Sequence, residues 1–539
     1  MKDINVVYQI YPKSFRDSNK DGIGDLCGII EGLDYLKSLG VDAIWVSPCY
    51  KSPDYDCGYD ISDYRAISEQ YGSMEDLDRL VEEVHRRGMK ILMDLVVNHT
   101  SYEHEWFLEA EKSRDNPYHD YYIWRSKEQL TEDAVGEFGG GVWQYCPDCD
   151  EYYLHLFTPE QPDLNWDNPK VRAEIADMVN WWLDKGIDGF RCDVIYLISK
   201  DDEMKEFGEG PRLHEYLREL NDRAFGPHGA FTVAEVWGFT PEDTLRLIGY
   251  DRHELTMAFQ FDHMCLGRNG RFTPAPFDPT DFVAALAKWQ YGLEGKAPCA
   301  LVLENHDQTR IVSRYGDPEN YRAESAKTLA MLTFLMKGTA FIYQGQELGL
   351  VNPVFSDLGG FRDVETIDYI KANKDKLPEA ELIERVNFGT RDAGRVPFPR
   401  TADKDSHFGF CPADVEPWLW ADLPYENTNV ETESADENSV LNFYKKLCRL
   451  RSTDDTLING SFMLLENSGG LFAYERISGS GRMLVCGNFG GEKASYKLPE
   501  RYIGGEIILS SYPDKIKTDE AVITLRPWET ILVNELPTA

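Results

Sequence analysis

Asn168 to Val194 reads NPKVRAEIADMVNWWLDKGIDGFRCDV, and two kinds of element are legible in it. Asn168 followed by Pro169 opens a helix, because an Asn side chain can cap the first turn and proline lacks only an N–H that would have no partner there. Gly186 closes it. Gly189 to Val194 is then a short apolar run of strand length. The alternation continues on both sides. Upstream, Val6 to Tyr11, Ala43 to Val46 and Lys90 to Val97 read as strands, and Ser73 precedes a helix that closes at Gly88. Downstream, Phe231 to Val236, Ala300 to Leu303 and Ala340 to Tyr343 read as strands, with a weaker one near Ala258 to Phe261. Repeated strand–helix units imply a parallel sheet, and about eight strands favour a closed (β/α)8 TIM barrel, an α/β fold, over an open doubly wound sheet.

The spacing breaks after Val97. Asn98 to Asp167 is rich in Tyr, Trp, Gly and acidic residues, lacks a helix of the usual kind and is too long for a structureless loop, so it predicts a small inserted domain. After a last helix around Val440 to Arg451 the chain turns strand-like, with turns at Ser468 to Gly470, Ser478 to Gly481 and Gly490 to Gly491. The expected organisation is barrel over 1–99, inserted domain over 100–167, barrel again over 168–455, and a C-terminal β domain over 456–539.

Composition narrows the function. With 42% hydrophobic, 12% aromatic and 28% charged residues, the 539-residue chain has the mix of a globular protein with a sizeable core. Its 56 Lys and Arg stand against 93 Asp and Glu, a formal charge of −37. Such a chain repels nucleic acid and suits a small neutral ligand. Met1 to Tyr11 has no pattern of a secretion signal, and no apolar run approaches the roughly 20 residues that span a bilayer. Eleven cysteines, an odd number, suit reduced thiols and a cytoplasmic location. Cys146 and Cys149 form a CxxC, but with no second CxxC and no His pair at metal spacing it predicts no zinc site.

In such a barrel, polar residues at the C-terminal ends of strands face the active site. Those ends give Asp60, Asn98 with His99, Arg191 with Asp193, Glu235, and His306 with Asp307. Arg191 and Asp193, two apart on a strand, share a face, so the guanidinium should hold the carboxylate ionised, as a nucleophile requires. Glu235, after an apolar run and beside Val236 and Trp237, is expected to be desolvated and tuned toward a general acid. Two carboxylates tuned in opposite directions are the machinery of glycosidic hydrolysis.

DGFRCDV at Asp188 to Val194, AEVW at Ala234 to Trp237, ENHDQ at Glu304 to Gln308 and DLVVNHT at Asp94 to Thr100 resemble the four signature regions of glycoside hydrolase family 13. The likeness runs from QIYPKSF at Gln9 to Phe15, through YLHLF and QPDLNW between Tyr153 and Trp166, to QGQELGL at Gln344 to Leu350. Within the family the chain is similar to the oligo-1,6-glucosidase and dextran glucosidase branch. That resemblance implies an insertion after the third strand and a C-terminal antiparallel β-sandwich. It implies Asp193 as nucleophile, Glu235 as acid/base and Asp307 as the carboxylate that supports the transition state. Asp60, His99, Arg191, His306 and Arg395 match positions that hold the glucose ring, with Asp60 and Arg395 gripping its terminal hydroxyl. Val194, directly after the nucleophile, matches relatives that prefer α-1,6 bonds. One stretch departs: the family's RDNARTPMQW is RDAGRVPFPR here, Arg391 to Arg400.

DSNKDGIGD, Asp17 to Asp25, offers Asp17, Asn19, Asp21 and Asp25 side chains and the Ile23 carbonyl, an oxygen set for a hard cation, and resembling relatives carry Ca²⁺ there. The expectation is a structural Ca²⁺, with no organic cofactor. Competing readings are a trehalose-6-phosphate hydrolase, which needs cations such as Arg268, Arg271 and Lys296 near the leaving sugar, an α-1,4-glucosidase, a transglucosidase or sucrose isomerase, and, remotely, a non-catalytic binding subunit. The substrate expected is a small neutral oligosaccharide, for a monomer or small homo-oligomer without nucleic-acid or membrane partners.

Overall fold

The computed structural model describes residues 4–536 apart from 132, 133, 202 and 206. The first three residues of the Met1 to Tyr11 run therefore lie outside the described residues. Eight parallel strands follow the chain: β1 (Val6–Ile10), β2 (Ala43–Val46), β3 (Lys90–Val96), β4 (Gly189–Asp193), β5 (Phe231–Ala234), β6 (Met257–Ala258), β7 (Ala300–Val302) and β8 (Thr339–Tyr343). Their order in the sheet is β6-β5-β4-β3-β2-β1-β8-β7, so every pair of sequence neighbours but β6 and β7 is paired and β8 returns to β1, the order of a TIM barrel. Nearly every strand residue is buried, which explains runs of continuous hydrophobicity rather than alternation. The weak strand expected at Ala258 to Phe261 is shorter and lies one residue earlier.

The helices end where side chains satisfy their free backbone groups. Ser73 and Asp76 form a reciprocal capping box at the start of Met74–Arg86, whose Leu77, Leu80, Val81 and Val84 make one buried stripe. Asn168 accepts from the Lys170 N–H at the head of Pro169–Asp184.

Two compact units divide the chain. One holds Trp45–Phe259 and Asp363–Glu365. Within it β3 pairs with β4 from Leu92↔Gly189 to Val96↔Asp193, and β5 pairs with β4 from Phe231↔Gly189. Gly189 has no substitute there, because a Cβ would fall 1.9 Å from the Phe231 carbonyl oxygen. The same unit carries a three-stranded antiparallel sheet, Trp124–Arg125, Trp143–Cys146 and Glu151–Leu154, within the stretch that interrupts the strand–helix rhythm.

The other unit holds Lys2–Ile44, Gln260–Arg362 and Thr366–Ala539. Here β1 pairs with β8, and β7 with β8. The long helix Val440–Thr453 is followed by a short one, Asp455–Asn459, after which antiparallel strands form a five-stranded sheet and a separate two-stranded one. Leu484, Cys486, Leu498, Tyr502, Leu525 and Ile531 are among the side chains of this domain's own core.

Candidate active site

In the first unit the centre is Arg191, buried on β4 between aromatic faces of Trp45 and Tyr59. Its Nη1 donates to Asp193 Oδ1 at 2.7 Å and to Asp94 Oδ1 at 2.5 Å, while Nη2 donates to Glu235 Oε2. One guanidinium thus touches three carboxylates. Burial opposes its charge, but Asp94, Glu235, Tyr59 and Asp193 outweigh that and hold it well above the ordinary arginine value. This corrects the expectation for Glu235. Far from lying among apolar neighbours alone, it shares the arginine with Asp193 and also accepts from Trp237 Nε1 at 3.0 Å.

Asp94 is the member that sequence reasoning missed, although DLVVNHT begins with it. Burial pushes its carboxyl up to about 6, against the pull of Arg191, and Trp45 Nε1 donates to it at 3.0 Å. The available signal was a charge within the apolar run KILMDLVV, since a buried charge needs a partner.

Val194, immediately after the nucleophile candidate, has φ +31° and ψ +39°. A β-branched residue in that left-handed region is strained, on the order of 1–3 kcal/mol. The turn directs its N–H toward Glu235 Oε2, 3.4 Å away.

His99 lies at the end of the run that follows β3, fully buried. Its Nδ1 faces Asn98 Nδ2 at 3.2 Å and its Nε2 faces the Tyr59 carbonyl at 3.1 Å, and burial pushes the imidazole down to about 4, so it is neutral. Asn98 is in turn held by Lys200 and Asp163, which form a buried ion pair of 2.8 Å. Asp60 stands not at a barrel-strand end, as expected, but in the loop between short strands Tyr50–Lys51 and Asp63–Ile67. Its carboxylate accepts from the Tyr55 and Asp56 N–H groups at 2.9 and 3.0 Å. Burial nevertheless pushes it up to about 7.

In the second unit the centre is a carboxylate. Asp307 follows β7, its N–H held by Asn305 Oδ1 at 2.9 Å. Arg395 Nη2 reaches its Oδ1 at 2.8 Å and Arg391 Nη1 at 3.4 Å, while Arg271 Nη1 donates to its carbonyl at 2.8 Å. Both arginines retained in the divergent Arg391 to Arg400 stretch therefore serve Asp307. Arg400 does not; it lies over Phe15 and Phe398. His306 is buried, with Nδ1 at 2.8 Å from Gln9 Nε2 and Nε2 at 3.1 Å from Asp307 Oδ2, its ring stacked on Tyr11. Of the other cations considered, Arg268 reaches Gln308, whereas Lys296 turns to the Gly292 carbonyl.

In the Asp17 to Asp25 loop the carboxylates bond the loop's own backbone. Asp17 accepts from the Lys20, Asp21 and Gly22 N–H groups, and Asp21 from Ile23. Asp25 caps the helix Leu26–Leu39 through the Gly28 N–H at 2.7 Å. Among the described residues no group of three or more His, Cys, Asp or Glu is gathered to hold a metal, because these carboxylates are turned onto their own loop's backbone.

A parallel barrel carrying carboxylates at the ends of β4, β5 and β7, with arginines set against them, is the frame of a glycoside hydrolase. The chain belongs to glycoside hydrolase family 13: the alpha-amylase catalytic domain matches residues 9–460, and the alpha-amylase SusG C-terminal domain matches 471–532. It is 44% identical over 550 residues to the oligo-1,6-glucosidase of Parageobacillus thermoglucosidasius, covering 97% of each chain. It is 41% identical to the trehalose-6-phosphate hydrolase of Bacillus subtilis, covering 98% of this chain and 97% of that one. A crystal structure of the Bacillus licheniformis trehalose-6-phosphate hydrolase, 39% identical, superposes with a TM-score of 0.93 over 98% of both chains.

Proposed function

We propose that the protein is a retaining, exo-acting α-glucosidase that releases glucose from the non-reducing end of short α-1,6-linked gluco-oligosaccharides such as isomaltose and panose. The observation that carries the reading is the bridging of Asp193 and Glu235 by the two terminal nitrogens of Arg191. A shared guanidinium favours the separation of about 5 Å that suits a nucleophile and an acid/base in a retaining enzyme. Asp193 attacks the anomeric carbon while Glu235 gives its proton to the departing oxygen. Glu235 then takes a proton from water, which displaces Asp193 from the covalent glucosyl enzyme with net retention. Asp307, set against Arg391 and Arg395, supports the oxocarbenium-like transition state. Asp60, His99, His306 and Arg395 hold the ring hydroxyls, Asp60 and Arg395 the terminal one.

Val194 supports the linkage. Its stiff side chain adjoins the nucleophile, where an α-1,4-linked sugar stays close and the exocyclic methylene of an α-1,6 linkage swings away. Initial rates on isomaltose, panose, maltose, sucrose and trehalose 6-phosphate test the reading side by side. In Val194→Ala the specificity ratio of isomaltose over maltose should fall roughly 10–200-fold. A wild-type enzyme that prefers maltose overturns it.

The proposal extends to a structural Ca²⁺ at Asp17, Asn19, Asp21, Ile23 and Asp25. Donor chemistry alone supports this, since each carboxylate oxygen keeps a second lone pair beside its N–H partner. It extends also to a cytoplasmic place, which the free cysteines support. Among the described residues no helix is long and apolar enough to cross a membrane.

A further inference from the structure

Glu304 to Ile311, ENHDQTRI, is a loop closed upon itself. Glu304 Oε1 accepts from the Ile311 N–H at 2.8 Å, and Glu304 Oε2 from Arg310 Nη1 at 3.1 Å. Both side chains are only 1% exposed, so each buried charge depends on the other. His306 and Asp307 lie inside the loop, whose two ends are thereby pinned together.

Arg310 also reaches out of the loop. Its Nη1 donates to the Gln344 carbonyl at 2.8 Å, just past β8, and its Nη2 to the Gly394 carbonyl at 3.2 Å. Its own N–H is held by Asn352 Oδ1 at 2.7 Å, and its guanidinium lies 5.1 Å over the Tyr343 ring. The Tyr343 hydroxyl donates to the same Gly394 carbonyl at 2.7 Å. Gly394 directly precedes Arg395, whose Nε donates to the His306 carbonyl at 2.9 Å and whose Nη2 donates to Asp307 Oδ1 at 2.8 Å. Arg310 and Tyr343 therefore fix the carbonyl next to the arginine that holds Asp307. The packing there leaves no slack, because a Cβ on Gly394 would fall 2.8 Å from the Gln308 carbonyl oxygen.

Stability alone is a poor reason for this arrangement. Arg310 Nε is buried with no hydrogen-bond partner among the described residues, and an orphaned donor on a buried ion pair costs free energy that apolar side chains of similar volume would avoid. What a planar fork supplies, and an apolar side chain does not, is simultaneous contact with Glu304, Gln344 and Gly394.

We propose that Arg310, assisted by Tyr343, is a positioning residue for Asp307 and Arg395, setting where the Asp307 carboxylate stands when positive charge develops on the sugar. The inference rests on the reading of Asp307 as support for the transition state. The competing role is a buried ion pair that only keeps the loop folded.

Arg310→Lys separates the two. Lysine keeps a positive charge opposite Glu304 but has a single nitrogen, which cannot serve all three oxygens in the geometry of the fork. If charge alone matters, lysine restores function. If position matters, turnover of isomaltose should fall about 10–100-fold, the scale of a misplacement near one ångström. The sharper readout is a ratio of inhibition constants, measured against 4-nitrophenyl α-glucoside, for glucose over deoxynojirimycin, a piperidine iminosugar protonated at its ring nitrogen. The cation senses the Asp307 carboxylate and neutral glucose does so far less, so the preference for the iminosugar should shrink roughly fivefold or more. Neither constant depends on how much of the preparation is folded. Tyr343→Phe removes one hydroxyl and no charge, and should shrink the preference about two- to threefold. An unchanged ratio in Arg310→Lys overturns the proposal, whatever happens to its urea midpoint; if that variant does not fold, an unchanged ratio in Tyr343→Phe overturns it. A wild-type enzyme inactive on every glucoside would sink the glucosidase reading and this inference with it, whereas an unchanged ratio in an active enzyme sinks the inference alone.

Discussion

The two candidate catalytic clusters have opposite charge arithmetic. Around Arg191 one guanidinium meets Asp94, Asp193 and Glu235; around Asp307 one carboxylate meets Arg391 and Arg395 at its oxygens and Arg271 at its carbonyl. The first arrangement has more carboxylates than one cation can neutralise, so small changes in geometry shift where the negative charge and the proton reside. That suits groups that form bonds and pass protons. The second fixes a negative charge among cations, which suits a carboxylate that must answer positive charge on the sugar without itself reacting.

The largest expected effect lies on the carboxylate-rich side. Asp193→Asn and Glu235→Gln keep shape while removing the proposed nucleophile or the proposed transferable proton, so each should lower turnover of isomaltose by roughly 10³-fold or more. Glu235→Gln should recover its first step with 4-nitrophenyl α-glucoside, whose leaving group needs no proton, and a burst of nitrophenol would record it. Turnover of isomaltose near the wild-type rate by either variant would break the division of roles.

Asp94 separates the clusters next. It is buried, and so is the Arg191 charge it partners, so Asp94→Asn leaves the guanidinium with fewer counter-charges inside the fold. Removing one partner of such a pair costs about 3–5 kcal/mol. Arg391→Gln, at the edge of the cation-rich cluster, should cost about 1 kcal/mol or less, because Arg395 still serves Asp307. Urea midpoints of the two variants measure the contrast. Equal midpoints would mean that the crowding at Arg191 carries no structural weight.

Much of this was legible in the sequence. The cap at Asn168 and the capping box at Ser73 are local chemistry, and both helices begin where those residues place them. Asp193, Glu235 and Asp307 stand out as candidates because each lies at the end of, or a few residues after, a strand whose apolar run is itself legible. The environment of Glu235 was not, since the arginine that reaches it comes from a neighbouring strand 44 residues away. The strain at Val194 was also hidden, as nothing in its composition marks a valine for positive φ. The loop at Asp17 shows the converse. Its residue types suggested a cation, while their actual partners are backbone N–H groups that composition cannot reveal.

Two buried groups held by backbone and neutral side chains sharpen the comparison through pH. Burial raises Asp60 to about 7, so between about pH 4 and 7 the native state binds more protons there than the unfolded chain, and its contribution is present at low pH and lost as pH rises through 7. His99 works the other way. Lowered to about 4, it contributes stability that is present above about 6.5 and lost as pH falls toward 4. Asp60→Asn should therefore flatten the decline of thermal stability between pH 5 and 7.5, on the order of 1–2 kcal/mol. His99→Asn should instead soften the loss of stability below pH 6. An unchanged pH profile in Asp60→Asn would show that its two backbone donors already offset burial.

The smallest effect belongs to a third way of holding carboxylates, the Asp17 to Asp25 loop, where N–H groups take the place of arginines. Asp21 is the exposed carboxylate of the loop. A ligand that binds the native state alone stabilises it in proportion to the logarithm of its excess over Kd. If Ca²⁺ binds, a chelator should lower the melting temperature by a few degrees, roughly the 1–3 kcal/mol that modest saturation supplies. Asp21→Ala should abolish that sensitivity while changing the chelated baseline little, because its side chain accepts only from Asn19 and Ile23. Asp25→Ala should cost stability with or without chelator, since it also removes the cap of Leu26–Leu39, about 1 kcal/mol. The two variants thus separate a metal ligand from a helix cap. A wild-type melting curve indifferent to both chelator and added Ca²⁺ would assign the whole loop to its own backbone, and the carboxylates there would be structural in the way that those around Arg191 are not.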